Sequence, residues 1–155
     1  MMLNNHKELR FKIACYFLEG LASLALAFYF YYLYFMMRHQ FGFGDKHNLA
    51  LASMNGLIYV VIAWQAGRFA QRRGYFTVLN LAFVLMILGL LLGLAVHTTI
   101  GLVLVTALIT GGMACFWPTL EALLSEEETA VTLPRAVGIY NIVWAGTNAV
   151  ACFGG

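Results

Sequence analysis

The chain has 155 residues, of which 62% are hydrophobic and only 10% charged, with a mean hydropathy of +0.80 and a formal net charge of +2. Ordinary soluble domains carry about 45–50% apolar and about 25% charged residues, so this composition excludes a water-soluble globular domain and makes lipid part of the solvent. The small, dispersed charge excludes a nucleic-acid surface, and the three cysteines, Cys15, Cys115 and Cys152, lie in apolar runs with no metal-ligand spacing.

Residues 1–12 are polar and basic, with Lys7, Arg10 and Lys12. An apolar run follows, from about Ile13 to Met37. Ala25 to Ala27 resembles a signal-peptide cleavage site, but the run is too long for an apolar region of roughly 7–15 residues. It is therefore read as an uncleaved first span. At about 1.5 Å per residue it exceeds a hydrocarbon core of roughly 30 Å, so it tilts or projects. Its far end, Phe28 to Phe35, is almost entirely aromatic, as expected of an interfacial belt, with a ligand cage as the alternative. Arg38 to Asn48 read as a loop: Gly42 and Gly44 break the helix, and Asp45, Lys46 and His47 keep it wet.

The second span is expected over about Leu49 to Ala66. Ala52, Gly56, Ala63 and Gly67 recur at helical spacing, and small residues let helices approach closely in a bilayer. Asn55 and Tyr59 share a face. The stretch from Gly67 to Gly74 then reads as a short basic connection that holds Arg68, Arg72 and Arg73. The third span, about Tyr75 to Val96, is nearly uniform in Leu, Val, Ile and Phe, so it should face lipid over much of its surface. His97 to Thr99 form a tight turn.

The fourth span, about Ile100 to Leu120, carries Thr106, Thr110, Gly111, Gly112, Trp117 and Pro118. A kink is expected at Pro118, which cannot donate its backbone hydrogen bond. Ser125 to Pro134 form a second connection with a solvated acidic run, Glu126 to Glu128. Arg135 precedes a fifth apolar segment, residues 136–155. Lys7, Arg10, Lys12, Arg68, Arg72, Arg73 and Arg135 fall on one side, and only Arg38 and Lys46 on the other. Positive loops stay in the cytoplasm, so the N-terminus is expected inside. The fold class expected is all-α: a polytopic membrane helix bundle of five transmembrane helices.

Ionisable groups within a bilayer are costly and usually face a cavity or a partner. Glu19 is the first candidate. Tyr16, Glu19, Ser23, Ala27 and Phe30 share one side of the first span, with Glu19 roughly 9 Å inside the cytoplasmic edge. It reads either as a proton-coupling or substrate-binding carboxylate or as a structural partner of a neighbouring helix. Thr106, Thr110, Ala114, Trp117 and Glu121 share a side of the fourth span, and Glu121 sits near water. Asn141, Trp144 and Asn148 make a stripe on the fifth. Asparagines in lipid need partners, so this stripe should face protein or water, or join helices. No nucleotide loop, metal cluster or catalytic triad is present, and no cofactor or enzyme activity is expected.

Two features resemble the major facilitator superfamily of secondary transporters. The family's loop between spans two and three has the form G-x-x-x-D-R-x-G-R-[KR]; here residues 67–76 read G-R-F-A-Q-R-R-G-Y-F, with Gly67, Arg72 and Gly74 in register. Gln71 stands at the acidic position and brings no charge. The family's antiporter-associated motif in span five, G-x-x-x-G-P-x-x-G-G, keeps Gly146, Gly154 and Gly155 here but has Val150 and Ala151 at its centre. The runs from Phe116 to Glu121 and from Pro134 to Asn141 also look like bacterial members of the family.

The resemblance implies a partial facilitator fold, with residues 1–155 as the first five of about twelve spans. The chain is then expected to be a fragment that works with the C-terminal half of the same chain, in a bacterial inner membrane. It also implies a cavity lined by spans one and four, with contributions from two and five. Glu19, Trp117, Asn141 and Trp144 would form a polar-aromatic belt there. Gln71, Arg72, Gly67 and Gly74 would belong to a cytoplasmic gating loop. The expected function is transport of a small solute by alternating access, with protons as a coupling ion. The alternatives are a non-transport membrane scaffold or complex subunit and, last, an intramembrane enzyme using Glu19.

Overall fold

The computed structural model describes the backbone of residues 2–126 and 128–154 and holds five α-helices: α1 (Met2–Phe41), α2 (Asp45–Arg73), α3 (Tyr75–Ala95), α4 (Thr99–Ser125) and α5 (Leu133–Gly154). Among the described residues there is no strand. Glu127 of the acidic run and Gly155 of the fifth span lie outside the described residues, as does the side chain of Lys7. All five helices are long and apolar enough to cross a membrane, which marks the chain as an integral membrane protein.

α1, α2, α4 and α5 are longer than the apolar runs that announced them, while α3 matches its run to within one residue. α1 continues to Phe41, and α2 already begins at Asp45, so the expected loop from Arg38 to Asn48 shrinks to Gly42, Phe43 and Gly44. Asp45, Lys46 and His47 are the first turn of α2, where an acidic residue suits the helix dipole. The larger correction concerns Gly67 to Gly74. This stretch is helical through Arg73, and only Gly74 separates α2 from α3. The arginines leave the apolar pattern without leaving the helix, because a charged side chain ends the greasy run while its backbone still makes helical hydrogen bonds.

Turn chemistry explains the breaks. Gly42 has φ +69° and Gly74 has φ +88° with ψ 149°. The Gly74 combination is open in practice to glycine alone. Its N–H donates to the Ala70 carbonyl at 2.8 Å and closes α2. Thr98 caps α4: its hydroxyl oxygen accepts the Gly101 N–H at 3.3 Å, and its carbonyl accepts the Leu102 N–H. α4 then runs unbroken through Pro118. Before α5, Thr129 and Thr132 bond to each other's backbone, and Pro134 sits in the first helical turn, where its missing N–H costs nothing.

The chain divides into two compact units, Met1–Leu33 with Leu120–Gly155, and Tyr34–Thr119. In the first, α1 meets α5. Tyr16 donates its hydroxyl to the Ala136 carbonyl at 3.2 Å. One turn on, Gly20 lies so close to α5 that a Cβ there would be 3.3 Å from Val143 Cγ1. In the second unit α3 packs tightly on α4. A Cβ at Gly89 would sit 2.5 Å from Ile109 Cγ1, and one at Gly112 2.6 Å from Met86 Cγ and 2.9 Å from the Ala82 carbonyl oxygen. The close approach was expected on α2, but nothing lies within 4 Å of a Cβ at Gly56 or Gly67. Small residues permit a close crossing; they do not create one. Elsewhere on α3, Leu81, Val84, Ile87, Leu91 and Leu94 are exposed, the expected lipid face.

Candidate functional site

The Tyr16-Ser23 face of α1 turns inward as its periodicity predicts. Glu19 is 0% exposed and Ser23 1%, with Ala27 also buried. The four-residue spacing puts one side chain above the other, and the Ser23 hydroxyl donates to Glu19 Oε1 at 2.6 Å. Tyr16 and Gly20, on either side of Glu19 in sequence, both meet α5. A buried carboxyl of this kind accepts hydrogen bonds when ionised and can donate one when it carries a proton.

The second unit has its own polar interior. Asn55, Thr106, Thr110 and Thr119 are all buried. Both polar atoms of the Asn55 amide and the hydroxyls of Thr110 and Thr119 have no hydrogen-bond partner among the described residues. Tyr59, one turn from Asn55, faces Trp117 with ring centroids 6.5 Å apart. Trp117 is half-buried and continues into an edge-on pair with Phe116, whose ring meets Phe83 at 5.6 Å. Asn55 and Thr110 stood out in the sequence only as polar residues at helical spacing. Thr119 was not singled out; a hydroxyl next to the proline of a membrane helix is the one signal that pointed to it.

The remaining candidates lie elsewhere. Glu121 is exposed at the end of α4. Asn141 is exposed, Trp144 is 47% exposed, and Asn148 is half-buried and donates to its own helix at the Trp144 carbonyl, 2.8 Å away. Of the two surroundings expected for this stripe, protein or water, the five helices leave it largely uncovered. The face of α5 that is buried carries Ala136, Tyr140 and Ala151, and at 100° per residue the Asn141-Asn148 stripe is centred about 80° around the helix from it. Asn141 and Trp144 therefore do not join Glu19 on the side of α5 that packs on α1. Of the gating-loop candidates, Gly67 is half-buried, Gln71 and Arg72 are exposed on the last turns of α2, and Gly74 makes the turn.

Cys15 and Cys115 are buried free thiols, and Cys152 is exposed. One further expectation changes, because the acidic run is not wholly solvated: Glu128 Oε1 lies 2.6 Å from Lys12 Nζ with its side chain only 5% exposed. The hydrogen bond from Lys12 holds the Glu128 carboxyl below the usual range, and one involving Thr132 adds to it. Glu126 remains exposed. Among the described residues no three His, Cys, Asp or Glu side chains gather as a metal site would require. Compared with models of known protein families, with curated proteins and with solved structures, the chain matches none of them.

Proposed function

We propose that this chain is part of a secondary-active transporter of the major facilitator type, which moves a small solute across the membrane by alternating access with proton coupling at Glu19. One observation carries the reading: a carboxyl at 0% exposure on a membrane-crossing helix, bonded by Ser23 at 2.6 Å. Ionisable groups at such depth are expensive, and those that persist serve ion or proton pathways far more often than residues elsewhere. The motif resemblance at Gly67, Arg72 and Gly74 supplies the family. The Lys/Arg asymmetry supports an inside N-terminus, and the likeness of the runs from Phe116 and Pro134 to bacterial members of the family supports a bacterial inner membrane. Trp117 and Tyr59 offer an aromatic surface for the solute, and the remaining spans of the fold complete the pathway.

The mechanism follows from charge. An ionised Glu19 resists leaving its hydrogen-bonded site, whereas a protonated one crosses apolar surroundings at far lower cost. Protonation thereby links the inward and outward arrangements. The test is proton movement in vesicles that contain the protein and a pH-sensitive dye, challenged with a panel of sugars, amino acids and organic cations. A solute that drives proton flux through wild-type protein, but not through Glu19→Gln, is the expected result. Flux indifferent to Glu19 would sink the coupling role.

A subunit of a larger membrane complex is the second reading, favoured by the uncovered Asn141, Trp144 and Asn148 stripe on α5. Affinity purification in mild detergent separates the two: a stoichiometric partner lost on Asn141→Leu and Trp144→Leu substitution supports the subunit.

A further inference from the structure

The end of α2 carries an amphiphilic stripe apart from the Glu19 site on α1. At 100° per residue, Leu57, Val61, Trp64, Arg68 and Arg72 fall on one side of the helix. All of them are exposed, Leu57 by 71% and Trp64 by 65%. Along the axis the order is aliphatic, aliphatic, indole, guanidinium, guanidinium. The apolar part from Leu57 to Trp64 is about 10 Å long at the helical rise.

The polar end is already organised. The Arg68 guanidinium carbon stands 4.7 Å from the centroid of the Trp64 ring. A guanidinium that stacks on a ring by its flat face keeps its in-plane N–H donors for an oxyanion. Trp64, Gln65, Arg68, Phe69 and Arg72 line a cavity of about 310 Å³. Arg68 and Arg72 are one turn apart, where like charges repel. Among the described residues no carboxylate forms an ion pair with either. An anion between them removes the repulsion, and one with an apolar tail also covers Val61 and Leu57.

We propose that this face binds an anionic phospholipid, with its phosphate between Arg68 and Arg72, its glycerol against Trp64 and an acyl chain along Val61 and Leu57. Charge complementarity selects the headgroup. The lining holds two cations and no carboxylate, so it has nothing to receive the ammonium of a zwitterionic lipid. A soluble phosphoester satisfies the arginines but leaves the aliphatic half uncovered.

The experiment reads Trp64 emission from the full chain in lipid nanodiscs, with dibrominated phosphatidylglycerol or dibrominated phosphatidylcholine as quencher. The Trp64→Phe variant identifies that residue's share of the signal. The expected result is quenching at lower mole fraction of the glycerol lipid, with a preference of roughly fivefold per arginine. Arg68→Gln with Arg72→Gln loses the preference. Arg73→Gln, on the opposite side of the helix, keeps it, and the charge-preserving Arg68→Lys with Arg72→Lys keeps most of it. Equal quenching by the two lipids in wild-type protein overturns the proposal, as does an undiminished preference in the double glutamine variant or its complete loss in the lysine pair. Glycerol phosphate in the buffer should leave the preference in place; abolition by millimolar amounts would assign the site to a soluble anion instead.

Discussion

Lys12 Nζ lies 2.6 Å from both Glu8 Oε1 and Glu128 Oε1, so a single ammonium ties the first turns of α1 to the segment that precedes α5. The basic N-terminal stretch therefore has a packing role within the fold. It clasps a connection in which Thr129 and Thr132 already bond to one another.

The clasp predicts an acid-sensitive stability. Glu128 has a folded-state carboxyl held below its unfolded value by the bond from Lys12. A depressed acid contributes stability that is full above the unfolded value, about pH 4.3, and is lost as pH falls through the lower folded value. Thermal unfolding in detergent should therefore show an acid limb below about pH 4.3 that Glu128→Gln flattens. Identical acid limbs in the two proteins would show that the clasp contributes no stability.

Close packing of α3 on α4 predicts opposite effects for the same substitution at two glycines. Gly112→Ala places a methyl 2.6 Å from Met86 and 2.9 Å from the backbone oxygen of Ala82, which cannot rotate away. Overpacking of this kind costs about 1–3 kcal/mol. Gly56→Ala meets open space, and it removes a helix-interior glycine, so it should be neutral or stabilise by up to about 1 kcal/mol. Unfolding free energies in mixed micelles decide the matter, and equal values for the two variants would contradict the packing.

The turn between α2 and α3 makes a third prediction. Gly74 has φ +88° and ψ 149°, a region that side chains do not tolerate, although a Cβ there would touch nothing. Gly74→Ala should therefore destabilise by about 1–3 kcal/mol through backbone strain alone. Gly67→Ala, on a helical residue with the same open surroundings, should not. A tolerated alanine at position 74 would mean that the turn relaxes to another shape.

These outcomes bear on what the chain discloses before it is folded. Five apolar runs and the break at Gly42 were readable because bilayer length and positive φ leave so few solutions. The inward face of α1 was readable because Glu19 and Ser23 sit one turn apart among apolar neighbours. Helix ends were not: Arg68, Arg72 and Arg73 mark where grease stops, and the backbone ignores that boundary for another turn and a half. The buried side of α5 was hidden too. Its covered face is made of Ala136, Tyr140 and Ala151, which look no more interior than the rest of a helix rich in Ala, Val and Ile. The asparagines drew attention to a different side of the helix. Polar residues on a membrane helix say that they need a partner, not where that partner is.

The Ser23 hydroxyl and the Glu19 carboxyl allow the most direct dissection. Both are essentially sealed, at 1% and 0% exposure, and their bond is 2.6 Å long. Removing a donor from a buried polar group costs about 1–3 kcal/mol, because the acceptor loses a partner that water cannot replace. Ser23→Ala should destabilise wild-type protein by that amount. In a Glu19→Leu background the same change should cost far less, since no carboxyl is left to desert. The difference between the two steps is the coupling energy of the pair. Glu19→Gln keeps an oxygen for Ser23 and should preserve most of that coupling, which separates loss of charge from loss of structure. If Ser23→Ala costs the same whether residue 19 is Glu or Leu, the hydroxyl serves something other than this carboxyl, and the site on α1 has to be redrawn around a different partner.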